Sequence, residues 1–257
     1  MQARYGIDAP GLVRGFLAAG LALLALGALA ATFGATRWPP AAWLAPVLGI
    51  AALYPLGMFA LMLWESLVVK IPGREAILDL VTWRGGEAVL DVGCGRGLML
   101  VGAARRLTTG RAVGVDLWLA RDQSSNAKAA PLENARIEGV ADKVAVETAD
   151  MRALPFADRS FDVVVSSWAV HNLGAEADRT HALAEMVRVL KPAGAILLTD
   201  IACRDEYLAR LKALGAGEVR LVVGSPLKDL LLAAVSFGSY RPATIVARAF
   251  APSPHSG

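Results

Sequence analysis

Two stretches without a single charge set the first limit on this chain. Residues 15–36, GFLAAGLALLALGALAATFGAT, carry none, and neither do residues 38–64, WPPAAWLAPVLGIAALYPLGMFALMLW. About 20 apolar residues suffice to cross a hydrocarbon core as a helix, so each stretch is long enough to span a membrane. Between them lie only Arg37, Trp38, Pro39 and Pro40, a tight turn with an interfacial aromatic. The expectation is a hairpin with helices at about 12–36 and 41–66, occupying residues 1–70. Both ends of such a hairpin face the same side. Arg4 and Arg14 before it, and Lys70, Arg74 and Arg84 after it, outnumber Arg37 at the turn. The positive-inside rule then predicts a multi-pass protein of the cell membrane with both ends cytoplasmic. A cleaved signal peptide is the competing reading, because Ala28-Leu29-Ala30 resembles a peptidase site. The apolar run is longer than the usual signal core.

Gly20, Gly27 and Gly34 recur at a spacing of seven, and Ala45 and Gly49 are spaced small-xxx-small. Small residues let membrane helices approach closely. They serve either packing within the hairpin or dimerisation, so the oligomeric state stays open. Pro46 and Pro55 are expected to bend the second helix.

Of the 257 residues, 55% are hydrophobic, and the excess lies before residue 70. The remainder has the composition of an ordinary globular domain, expected at 71–250, with a Pro/Ser-rich disordered tail at 251–257. A net charge of +3 without basic runs argues against a nucleic-acid partner. The two cysteines, Cys94 and Cys203, belong to no Cys/His cluster, so no metal site is expected.

From Pro72-Gly73, expected to end the membrane helix, strand-like runs alternate with helical ones. Strands are predicted at 88–93, 111–116, 143–150, 161–167, 195–201, 218–224 and 242–250. Helices are predicted at 74–82, 97–107, 122–138, 175–190, 204–214 and 226–236. That alternation predicts a doubly wound α/β fold with a seven-stranded, mostly parallel sheet, the last two strands pairing antiparallel. Ligands of such sheets bind beyond the carboxyl ends of the strands.

The first strand ends in Asp91-Val92-Gly93-Cys94-Gly95-Arg96-Gly97. Its glycines permit a tight turn and close approach to a ligand. Such a loop can bind NAD, FAD or S-adenosylmethionine, but the GxGxG spacing departs from the dinucleotide GxGxxG fingerprint. Asp116 ends the second strand, where a carboxylate can accept ribose hydroxyls or cap a helix. Asp150 ends the third, where it can accept from an adenine amino group while the Met151 amide reaches a ring nitrogen. Leu117 and Trp118 are apolar neighbours for the adenine face. His171, just past the fourth strand, is the candidate proton acceptor, since imidazole suits proton removal near neutral pH. Capping or loop orientation is its other reading.

Together these residues resemble class I S-adenosylmethionine-dependent methyltransferases, nearest the subgroup acting on small molecules. Leu154-Pro155-Phe156, Ser160-Phe161-Asp162 and Arg188-Val189-Leu190-Lys191-Pro192-Ala193-Gly194, expected as a turn before the fifth strand, carry the same resemblance. Ala193 stands where glycine is frequent. The resemblance implies a Rossmann-like methyltransferase fold with S-adenosylmethionine as cofactor. Asp91, Gly93 and Gly95 would hold its amino-acid end, Asp116 its ribose and Asp150 its adenine, with Cys94, Gly97, Leu117 and Met151 also counted as cofactor-binding. Ser166 or Ser167 would lie beside the methionine part. Joined to the hairpin, this predicts a membrane-bound methyltransferase with a small, lipophilic acceptor of quinone or lipid type. A soluble thiol or amine acceptor and a non-catalytic cofactor-binding scaffold are the alternatives.

Overall fold

The computed structural model describes residues 3–119, 127–224 and 242–250, with 230, 234, 236 and 238. These fall into two compact units. One is Gly6–Lys70; the other joins residues 3–5 to Ile71–Leu119 and to the described residues after 126. The start of the 122–138 helix, most of 226–236 and the 251–257 tail lie outside the described residues.

In the first unit, α1 (Pro10–Thr36) and α2 (Leu44–Trp64) form the hairpin, joined through a 3-10 turn at Pro39–Trp43. Both are long and apolar enough to cross a membrane. Their glycines face inward. A Cβ on Gly34 would overlap the backbone of Ala42, and one on Gly27 would lie 3.3 Å from the Ala45 carbonyl. A Cβ on Gly20 would come within 2.5 Å of the end of the Leu56 side chain. The heptad glycines therefore serve the hairpin itself. Gly34→Ala is expected to lower the midpoint of SDS-induced unfolding clearly, because backbone cannot yield, at a cost of about 1–3 kcal/mol. Gly20→Ala should cost less than half as much, since the Leu56 tip can turn away. Equal effects would contradict this packing.

Two local expectations are corrected. Pro46 falls in the first turn of α2, and only Pro55 lies inside the helix. Pro72 and Gly73 do not end the helix, because both lie within α3 (Lys70–Leu78), which follows a π-turn at Glu65–Val69. Such a turn re-satisfies backbone groups that a proline would otherwise leave unpaired.

The second unit is a seven-stranded sheet of order β3-β2-β1-β4-β5-β7-β6. Its strands are β1 (Ala88–Val92), β2 (Arg111–Asp116), β3 (Val144–Thr148), β4 (Phe161–Ser167), β5 (Leu190–Asp200), β6 (Ala216–Val223) and β7 (Ala243–Phe250). β1 to β5 run parallel; β7 is antiparallel to both β5 and β6, as expected for the last pair. Side chains alternate across the sheet, so its central strands feed two cores. Val89, Val163, Val165, Leu197 and Val246 pack on one face with α4 (Leu98–Ala104) and α5 (Ala129–Ile137). Leu90, Val164, Ile196, Leu198 and Ile245 pack on the other with α6 (Glu176–Val189) and α7 (Arg204–Ala213). Burial on both faces explains the continuous apolar runs.

The expected turn at Lys191–Gly194 is instead a bulge inside β5. Phe161 pairs with Leu190 and Val163 with Ala195, so the intervening residues loop out of register. A Cβ on Gly194 would sit 2.7 Å from the Asp162 carbonyl, so glycine is required there. Asp162 fastens the bulge, accepting from the Ala88 amide at 2.9 Å and from the Lys191 ammonium at 2.8 Å. Arg188 donates to the carbonyls of Leu154 (3.0 Å) and Phe156 (2.8 Å) and pairs with Glu185. These motif residues thus shape the sheet and the connection after β3.

Candidate active site

The carboxyl ends of β1, β2, β3 and β4 bring most of the singled-out residues together. The loop after β1 begins with Gly93, Gly95 and Gly97 at φ of 74°, 49° and 80°, a region costly for residues with a Cβ. A Cβ on Gly93 would overlap that of Ala169, beyond β4, and lie 3.5 Å from the Met151 side chain, beyond β3. Three strand ends meet there only because residue 93 has no side chain.

Asp116 ties the loop to β2. One carboxylate oxygen accepts from the Gly95 amide at 2.8 Å, the other from the Trp118 amide at 2.6 Å. A carboxylate accepts about four hydrogen bonds, so these two alone do not exhaust it. Trp118 is held in the left-handed region at φ 59°, its indole N–H donating to Thr148 at 2.8 Å. Leu117 beside it is 47% exposed, apolar surface facing out at the end of β2. Asp150 is engaged by Arg152, whose guanidinium also pairs with Asp178 at 3.2 Å. That cation holds the Asp150 carboxyl below the usual carboxylate range.

Asp91 is buried under the loop, accepting from the Leu100 amide at 2.8 Å. Burial pushes its carboxyl up to about 8; the Asp116 charge acts in the same direction, and the Leu100 amide opposes. The native state therefore keeps a proton that the unfolded chain loses near pH 4. Between those values, rising pH favours the unfolded chain, so stability should fall from about pH 4 to about pH 8 and then level off. Asp91→Asn, similar in shape and neutral, is expected to remove that slope. Urea midpoints at pH 6 and pH 8.5, taken without cofactor, compare the two proteins. Parallel pH dependences would refute the assignment.

Two candidates turn inward. The Cys94 thiol lies in the core under the loop, so close to β2 that a Cβ on Gly114 would come within 2.7 Å of the sulfur. Burial, with the charges of Asp91 and Asp116, pushes this thiol up, so it stays neutral. Ser166 is buried and donates to the Val92 carbonyl at 2.8 Å, bracing β4 against β1. Ser167, the next residue, is the partly exposed one.

His171 lies in a short 3-10 turn, Val170–Asn172, two residues past the Ala169 that meets the glycine loop. Its Nδ1 is 2.5 Å from an oxygen of Asp200, the last residue of β5, and its backbone amide donates to the other oxygen at 3.1 Å. Asp200, buried, also accepts from the Ile201 amide at 2.8 Å and from the Tyr207 hydroxyl at 3.3 Å. Burial and the Asp200 charge push the Tyr207 phenol up, keeping it a donor. A carboxylate only accepts, so Nδ1 donates to it, and Asp200 fixes the His171 ring beside the glycine loop. Sequence reading missed Asp200 and Tyr207; the one available signal was an acidic residue ending a buried apolar strand.

Comparison with known proteins agrees with this geometry. Residues 90–198, somewhat less than half of the chain, match the family described as "Methyltransferase domain". Methyltransferase GfsG of Streptomyces halstedii is 36% identical over 131 residues, 51% of this chain and 43% of that protein. A ubiquinone/menaquinone biosynthesis C-methyltransferase UbiE, from Geobacter sulfurreducens, is 29% identical over 175 residues, 65% of this chain and 60% of its own length. The chain thus spans about half the length of these relatives. The solved structure of a geranyl diphosphate methyltransferase in complex with S-adenosylmethionine shares the fold at a TM-score of 0.55 and 19% identity, covering 75% of this chain and 91% of that one. Residues 90–198 of the sheet unit are thus similar to methyltransferase domains, and the unit has the Rossmann-like fold of a methyltransferase solved with S-adenosylmethionine bound. The residues present fit that cofactor. A carboxylate ending β2 suits a ribose diol, and an ammonium beside Asp91 would draw off the proton that burial keeps on its carboxyl.

Proposed function

We propose that this chain is a membrane-anchored methyltransferase whose acceptor is a small lipophilic molecule bearing an ionisable hydroxyl, of quinone-precursor or lipid type. One observation carries the reading. The apolar windows of the two candidate spans are only 11% buried, whereas a core helix of a soluble protein would be mostly buried. Leu21, Leu29, Val47, Ile50 and Leu53 are more than half exposed, a surface that lipid would cover. Residues 3–5 and Ile71 onward share one unit, which supports a hairpin returning to its starting side. A cleaved signal would remove Arg4 and Tyr5 from that unit. With the charge bias, this favours a multi-pass anchor with the methyltransferase domain in the cytoplasm. The relative named for quinone biosynthesis supports the acceptor class.

In this reading Asp91, with the backbone of Gly93, Gly95 and Gly97, holds the amino-acid end of the cofactor. Asp116 holds the ribose, and Leu117, Asp150 and Met151 line the adenine. The bound cofactor supplies an electrophilic methyl group on a sulfonium. The domain's task is to set the nucleophile in line with it at near-attack distance. His171 accepts the hydroxyl proton at Nε2 while Asp200 keeps Nδ1 protonated and stabilises the imidazolium that forms.

The test is methyl transfer from labelled S-adenosylmethionine by the detergent-purified protein with a membrane lipid extract, Asp116→Ala serving as control. Label in the organic phase, lost in the variant, is the expected result. Label confined to the aqueous phase would leave a methyltransferase and reject the lipophilic acceptor. No transfer despite cofactor binding would favour a scaffold.

A further inference from the structure

The residues just ahead of α1 are built into the methyltransferase unit beside the cofactor loop. Asn134 of α5 is 2% exposed, and its amide pairs with the Arg4 backbone in both directions. The Arg4 N–H donates to Oδ1 at 2.9 Å, and Nδ2 donates back to the Arg4 carbonyl at 3.0 Å. The same Nδ2 donates to the Arg96 carbonyl at 2.9 Å, and Arg96 Nε donates to the Arg4 carbonyl at 2.8 Å. Arg96 lies between Gly95 and Gly97 in the loop after β1. Its side chain is therefore fastened to the Arg4 carbonyl directly, and its backbone carbonyl to the Asn134 amide that also holds Arg4.

Tyr5 locks that peptide in place. Its ring is 5% exposed, and its hydroxyl donates to Glu138 and accepts from Arg74 at 3.1 Å. The Arg74 guanidinium, 1% exposed, also pairs with Glu138 at 3.2 Å and stands 5.6 Å over the tyrosine ring. Burial and the Glu138 carboxylate push the Tyr5 phenol up, so the hydroxyl stays a donor. A buried charge held by a carboxylate, a phenol and a ring is expensive to break.

We infer that residues 4–5 form a strap that positions the cofactor loop, with Asn134 as the clasp, so that cofactor affinity depends on the segment leading into the membrane hairpin. Three glycines make the loop conformationally free, and ordering it on binding costs entropy. A loop already fastened at Arg96 has less to lose. The coupling is reciprocal, so bound ligand must in turn tighten the strap. Arg4 and Tyr5 lie outside residues 90–198 that match the methyltransferase domain. The inference rests on the cofactor and is independent of which acceptor is methylated.

The test measures dissociation constants of S-adenosylhomocysteine by titration calorimetry on the full chain in detergent, with the melting temperature of each variant. Asn134→Ala removes the clasp. Arg4→Pro removes the N–H donated to Asn134, together with the Arg4 side chain, and leaves every other side chain of the domain intact. Arg248→Ala, which breaks a 2.8 Å bond to the Leu80 carbonyl, controls for stability alone. The expected result is affinity weakened at least tenfold in both strap variants. Arg248→Ala should melt earlier yet bind within twofold of the unaltered protein. Ligand should also slow hydrogen exchange at the Arg4 amide. If Asn134→Ala does not fold, Arg4→Pro decides. Dissociation constants within twofold of the unaltered protein in the folded strap variants would overturn the inference. Absence of binding by the unaltered chain would overturn it together with the cofactor assignment, leaving the acceptor question apart.

Discussion

Asp116→Ala is expected to weaken S-adenosylhomocysteine binding by about a hundredfold or more and to abolish detectable methyl transfer. The expectation has two sources. The carboxylate holds the Gly95 and Trp118 amides, so its loss frees both the glycine loop and the turn after β2. It also removes the acceptor proposed for the ribose. Hydrogen bonds to a charged group contribute about 1.5–3 kcal/mol each. Losing the equivalent of two is roughly a hundredfold or more, at about 1.4 kcal/mol per factor of ten. Asp116→Asn should fall in between, since one of its atoms becomes a donor facing a backbone N–H. Calorimetric affinity within tenfold of the unaltered protein for Asp116→Ala would reject the role.

His171→Ala should leave that affinity within a few-fold and cut turnover by about 10²–10⁴, the range for a positioned base. Asp200→Asn should approach the same loss by a different route. An asparagine can turn its NH₂ toward Nδ1, which reverses the imidazole tautomer and places the hydrogen on Nε2. Turnover of His171→Ala within threefold of the unaltered protein would show that the acceptor needs no base and would point to a carbon or thiolate nucleophile. The two experiments fail independently, because one reads affinity and the other reads chemistry.

What could be read from sequence followed from periodicity and local chemistry. Apolar runs alternating with helical ones located all seven strands; the central strands, buried on both faces, cannot hide their composition, and the more exposed β3 and β6 keep an alternating pattern. Uncharged length located the hairpin, and the glycines located the loop after β1. The missed features all depend on partners far away in the chain. Asn134 reads as an ordinary helix residue until its amide is seen against Arg4, and Asp200 as a strand terminus until His171 lies against it. Arg4 was read as a flanking positive charge, yet its peptide group does the fastening. Lys191–Gly194 was read as a turn because proline and glycine favour turns. Pairing with β4 on either side converts it into a bulge. Cys94 and Ser166 lie in the right loop and strand end, but the turn of the glycine loop points one inward and the pleat of β4 the other, which residue identity alone does not reveal.

The strap also bears on how such a chain must be made. Arg4 and Tyr5 are made well before Asn134 and Glu138, which follow only after both apolar helices and the first two strands. In the hairpin reading, membrane insertion is under way while those earlier residues still wait for their binding places. β7, made after β6, is an interior strand between β5 and β6, so β6 has no place in the sheet until β7 arrives. A translocation error that carried the N-terminal residues across the bilayer would leave the sheet able to form with Asn134 lacking its partner.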